Sequence, residues 1–162
     1  MGINSNLAER YKFVSGLAPI TPSTSTPDYV SMKNYSHLTV VILCDNATTV
    51  TGSAITMKQA TAVAGTSEKA LAFTTMRANE DTGATDTLVV TAVTSNTFTT
   101  DATDAKNLMY VIEIDDSQLD NANSFDCVRV GTGDTTAQIV AVTYILSGAS
   151  YGGVTPPTAI TD

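Results

Sequence analysis

The sequence predicts an all-β fold: a single β-sandwich or jelly-roll-like domain with an extended N-terminal arm and a short C-terminal tail. Three observations predict it. About eight short β-branched or alternating segments are separated by turn signals at intervals of roughly 8–15 residues. About one residue in six is threonine while only 15% are charged, so polarity comes from hydroxyls and amides suited to half-buried strands. Finally, the central part of the chain lacks an apolar stripe of a dozen residues at helical spacing, which removes the crossover helices a parallel sheet needs. The 162 residues suit one compact domain rather than two, and a 43% hydrophobic content supports a real core.

The elements follow in order. Residues 4–14 read as a short helix, with Asn6 as cap, Glu9 three residues on, and Leu7, Tyr11 and Val14 on one face. Eleven residues of helix are marginal alone. Residues 15–28 carry Pro19, Pro22 and Pro27 among Ser and Thr, which argues for extended, polyproline-like backbone. Residues 1–30 therefore read as an arm, and its deletion is expected to leave a folded body.

Residues 31–148 hold the strands. Residues 36–44 (SHLTVVILC) and 107–114 (NLMYVIEI) are the most apolar, and 51–60 alternates. Residues 70–77 form a further strand, with Leu71, Phe73 and Thr75 on one face. Residues 86–94 and 96–100 are threonine-rich strands meeting at a tight turn, Ser95-Asn96. Residues 115–123 are polar, with one helical turn at 117–119. The last strands, 124–130 and 137–147, are joined by a hairpin through Gly131-Thr132-Gly133-Asp134. Residues 149–162 (ASYGGVTPPTAITD) read as an extended tail.

The charge balance excludes several function classes. Eight basic against sixteen acidic residues give a net charge of −8, and the basic residues are scattered. Nucleic acid and anionic membrane surfaces are therefore not expected partners. The chain opens without a basic stretch followed by an apolar run, so no secretory signal is read, and no apolar run reaches a membrane span.

Chemistry-bearing patterns are sparse, and no cofactor or metal is expected. Cys44 and Cys127 lie in apolar segments without zinc-ligand spacing and read as buried thiols, pairing only if their strands are neighbours. His37 is the single histidine, with no nucleophile motif nearby, and reads as structural. Asp115, Asp116, Asp120 and Asp126 lack calcium-loop spacing and its glycine, and Asp101 and Asp104 mark a turn. Gly131–Asp134 follows a strand but opens no helix, so it is not a phosphate loop. The chain has no Trp and only 6% aromatic residues, which speaks against a sugar-binding or sugar-cleaving cleft. The reading is a non-enzymatic interaction protein. Tyr11, Phe13, Pro19, Ile20 and Tyr29 give the arm more apolar surface than a free segment holds, and they are its expected contact residues.

Several stretches of the chain are similar to a known family. INSNLAERYKFVSGLAP, DYVSMKNYSHLTVVI, TGSAITMKQATAVAG, KALAFTTM, TDAKNLMYVIEID, FDCVRVGTG and TYILSGASYG resemble small structural proteins of tailed-bacteriophage virions. The resemblance covers residues 3–152 and rests on overall phrasing rather than a catalytic signature. It implies a head decoration or cement role: a subunit made in the host cytoplasm that sits on the outer capsid surface and bridges capsomers. The implied partners are the major capsid protein and sister copies, as a symmetric trimer ahead of a dimer. It brings no catalytic residues. A tail or head–tail connector component and a receptor- or carbohydrate-binding module on a fibre are the competing expectations.

Overall fold

The computed structural model describes residues 6–47, 52–103, 105–150 and 156–161. A single helical turn, α1 (Leu7–Arg10), precedes the strands β1 (Lys12–Ile20), β2 (Val30–Ser31), β3 (Tyr35–Asn46), β4 (Ala54–Ala60), β5 (Lys69–Ala70), β6 (Thr75–Asn79), β7 (Val89–Ala92), β8 (Thr97–Thr99), β9 (Asn107–Asp115), β10 (Cys127–Gly131) and β11 (Gln138–Ala149). They build two sheets, in the orders β1-β11-β3-β9-β6-β7 and β2-β10-β4-β5, with β8 also on β4. Every pairing is antiparallel. The fold is the predicted all-β sandwich.

The core is the alternation of the long strands made physical. Leu38, Val40 and Ile42 of β3, Tyr110 and Ile112 of β9, and Val140, Val142 and Tyr144 of β11 all point inward and are buried. They meet Ile55 and Met57 of β4 and Val128 and Val130 of β10, so each sheet covers the other's apolar face. Phe98 joins this cluster, its ring centroid 5.1 Å from that of Tyr110 and 6.4 Å from that of Phe73.

The chain shuttles between the sheets at almost every connection. The expected hairpins at Ser95-Asn96 and Gly131–Asp134 are therefore crossings: β7 and β8 lie in different sheets, as do β10 and β11. The predicted strand over 70–77 divides for the same reason. Its halves become β5 and β6 on opposite sheets, and the link between them buries Leu71 and Phe73. Gly133 turns the last crossing at φ +72°, where a Cβ would fall 2.6 Å from Ser53 Oγ, so this position needs glycine.

The N-terminal segment differs most from its prediction. The helix stops at Arg10, although Glu9 accepts from the Asn6 backbone N–H at 2.9 Å as a capping box requires. Residues 12–20 instead find a partner in β11 and become an edge strand, with Lys12 opposite Leu146 and Val14 opposite Tyr144. Proline forbids only a central strand, and Pro19 sits on this edge. Val14 and Leu17 are buried, as are Tyr29 and Val30. Gly16 lies over the Tyr144 ring, where a Cβ would be 2.4 Å from its Cε2. The Tyr144 hydroxyl donates to the Asp28 carbonyl at 3.0 Å and accepts from the Val130 N–H at 3.1 Å. Much of the predicted arm is thus part of the sandwich.

The described part of the C-terminal tail also packs home. Ala159 is fully buried, and its carbonyl accepts from the Ser31 N–H at 2.7 Å. Cys44 and Cys127 are buried thiols not joined in a disulfide, on strands of different sheets, and burial pushes the Cys44 thiol up to about 12.

Candidate interaction surface

The six-stranded sheet has one face in the core and one in solvent, and the solvent face is unusually apolar. Alternation along β3 puts His37, Thr39, Val41, Leu43 and Asp45 outside. The registers then set neighbours beside them in rows. Ala141, Leu43 and Met109 form one row; Thr143, Val41, Val111, Arg77 and Val90 form the next. Phe13 stands opposite Ile145 at the β1 side.

Near β1 the face dips into a shallow depression of ≈ 460 Å³ whose lining includes Pro19, Leu43, Met109, Ile139 and Ala141. Leu43 and Ile139 are each 46% exposed. From strand spacing and rise, the apolar field covers about 350 Å², within the range of the largest patch on a typical monomer and often a functional one.

His37, Glu113 and Asp115 gather toward one end of this face, while Arg77 stands within a row, between Val111 and Val90. His37 sits at one corner with Nε2 2.6 Å from a Glu113 oxygen and Nδ1 2.8 Å from an Asp115 oxygen. Both ring nitrogens face carboxylates that accept, an arrangement satisfied only by the doubly protonated imidazolium. Partial burial opposes that charge, but the hydrogen bonds to Asp115 and Glu113 outweigh it and hold the His37 pKa above its ordinary value. Thr39 donates to Glu113 as well, at 2.7 Å. The triad is a cross-strand clasp between β3 and β9.

Of the residues expected to make contacts, Phe13 and Pro19 join this face. Phe13 is 43% exposed, and Pro19 lines the depression. Ile20 is exposed beside them in a groove with Ser25 and Thr26. Tyr11 is half-buried, with the Arg10 guanidinium 5.6 Å from its ring centre. Tyr29 does not belong to the surface: it is buried, donates to Glu68, and lies under Arg129 at 4.8 Å. Arg129 and Lys58 also pair with Glu68. The hydrogen bonds from Lys58 and Tyr29 hold the Glu68 carboxyl below its usual range, and this cluster ties Tyr29 to the smaller sheet.

Sequence reasoning missed Val41, Leu43, Met109, Val111 and Ile139. The available signal was that VVIL in β3 and the apolar stretch of β11 run almost unbroken rather than alternating cleanly, the pattern of strands covered on both faces.

The aspartates do not converge. Asp115 holds His37, Asp120 pairs with Lys69 and Asn123, and Asp126 accepts from the Cys127 thiol at 3.2 Å. Asp104 lies outside the described residues. Among the described residues no group of three His, Cys, Asp or Glu side chains is placed to hold a metal ion, and no helix is long and apolar enough to cross a membrane.

No protein-family model matches the chain, and no curated protein matches it. Among solved structures, the crystal structure of the SPBc2 prophage-derived protein YomS is similar at a TM-score of 0.43 and 14% identity, covering 84% of this chain and 91% of that one.

Proposed function

We propose that this chain is a structural protein of a tailed-phage virion, a decoration subunit that docks on the outer capsid surface through the solvent face of its six-stranded sheet. The observation that carries the reading is that apolar face: across the three long strands β11, β3 and β9, its rows through Leu43 and Val41 carry no charged residue. An antiparallel sheet that faces only water alternates with polar residues, whereas Leu43, Ile139 and Val41 suit contact with another protein. The major capsid protein is the occupant we commit to. The sequence resemblance to virion structural proteins supports the choice, and so does the net charge of −8, which favours the side of the shell away from packaged DNA. The field of about 350 Å² is somewhat under half of one partner's share in a standard interface, and its rim supplies the rest.

Binding of the purified protein to phage shells lacking it tests the reading. Leu43→Glu with Ile139→Glu puts two charges in the field at positions already exposed, so the fold is retained. Binding is expected to fall at least ~100-fold, as for truncation of two buried contact residues. Unchanged binding by the double variant overturns the reading. Densitometry of virions separates cement, present in hundreds of copies, from a connector, present in a single ring.

A further inference from the structure

We infer that β7 is a pairing edge, and that its occupant is the β7 of a second copy of this chain, joined antiparallel about a two-fold axis at Val90. The inference stands apart from the docking reading, since it uses the edge of the sheet rather than its face.

β7 closes one end of the six-stranded sheet and, apart from its shortness of four residues, carries no charge, proline or bulge to blunt it. From Thr87 to Thr100 the chain has no charged residue and no proline, and its pairing with β6 runs in unbroken register. Val89 and Val90 are 61% and 57% exposed. An uncharged, unbulged, β-branched edge of this kind is a template for another strand.

The backbone shows which groups are on offer. The Val93 N–H donates to the Thr74 carbonyl of the β6 side at 2.8 Å. Peptide groups alternate along a strand, so Thr91 and Val89 also face β6, while Val90 and Ala92 direct N–H and C=O outward, with Leu88 continuing the set. Three outward residues centred on Val90 are self-complementary under a two-fold axis. Val90 exchanges both bonds with Val90 of the second copy, and Leu88 and Ala92 exchange theirs with each other. The side chains that then meet are Val90 with Val90, Leu88 with Ala92, and Val89 with Thr91, all favourable cross-strand pairs. The Arg77 side chains of the two copies lie three strand spacings apart, about 14 Å, beyond the reach of unscreened repulsion. A different extended segment would match the backbone equally but not this symmetric set of side chains.

One short edge buries less than stable complexes do, so the dimer is a weak one, populated at about 0.1 mM protein. Sedimentation velocity on the full chain from ~5 µM to ~0.5 mM tests it. The expected result is a monomer at the low end moving to a dimer at the high end. Ala92→Pro deletes an N–H that the molecule itself does not use, and Val90→Lys sets two ammonium groups face to face at the axis. Both variants are expected to remain monomeric throughout while unfolding within a few degrees of wild type. A wild type that stays monomeric at the highest concentration overturns the inference, as does self-association that Val90→Lys leaves untouched. Shell binding by a strictly monomeric protein would overturn this pairing alone and leave the docking reading intact.

Discussion

At one end of the six-stranded sheet the edge strand carries a lysine, a proline and two breaks of register; at the other it carries none of these. β1 is also covered from outside, its Gly16 carbonyl accepting from the Asp28 N–H at 2.9 Å, and it buries Val14 and Leu17. β7 leaves Val89 and Val90 in solvent. Both are edges of one sheet, but β1 closes the sandwich and resists further pairing, while β7 adds little to the core and stays open. An edge that contributes little to stability is free to be kept for contact, and the comparison makes that division measurable.

The largest effect should come from removing β1. Deleting residues 1–20 takes away one of the two partners of β11 and uncovers the Tyr144 ring, so cooperative thermal unfolding should be lost or shifted far down. At single residues, Leu17→Ala should destabilise by about 2–3 kcal/mol, whereas Val90→Ala, on the open edge, should stay within about 0.5 kcal/mol; urea unfolding measures both. Equal effects would erase the distinction between the edges.

Gly16→Ala sharpens the same point more gently. The added methyl would meet a ring whose hydroxyl is fixed at Asp28 and Val130, and overpacking of this kind costs about 1–3 kcal/mol. Gly83, whose nearest contact for a Cβ is 3.6 Å, should accept alanine with little change in the same unfolding assay.

The smallest effect belongs to His37, between the two edges. Its folded pKa is raised, so its contribution to stability is complete below the ordinary histidine value of about 6.5 and fades as pH rises through the folded pKa. His37 is a third exposed and its two carboxylate partners more so, so less than ~1 kcal/mol is involved. Wild type should therefore lose its advantage over His37→Gln, about 2 °C in Tm, between pH 6 and pH 9. A constant difference across that range would show that the charge plays no part.

The long strands were legible because their period of two survives in the residues themselves: Leu38, Val40 and Ile42 face one way, whatever the topology. The sheet assignments were not, because Ser95-Asn96 and Gly131–Asp134 look the same as hairpin turns when they carry the chain across the sandwich. β1 was hidden by its prolines and by the coincidental helical spacing of Leu7, Tyr11 and Val14; only the presence of β11 makes residues 12–20 a strand. For the surface, Phe13 and Pro19 were visible as apolar residues without a core to enter. Tyr29 looked the same, and only the Glu68–Arg129 cluster, assembled from distant segments, explains why it is inside.

Residue-resolved hydrogen exchange at two protein concentrations tests the contrast between the edges most directly. The account predicts that the β1 amides bonded to β11 are protected even in dilute solution, while the amides of Val90 and Ala92 exchange freely there and slow as the concentration rises. Exchange of residues 12–20 at the rate of a free chain would contradict it, and so would amides at Val90 and Ala92 that are protected in the dilute monomer.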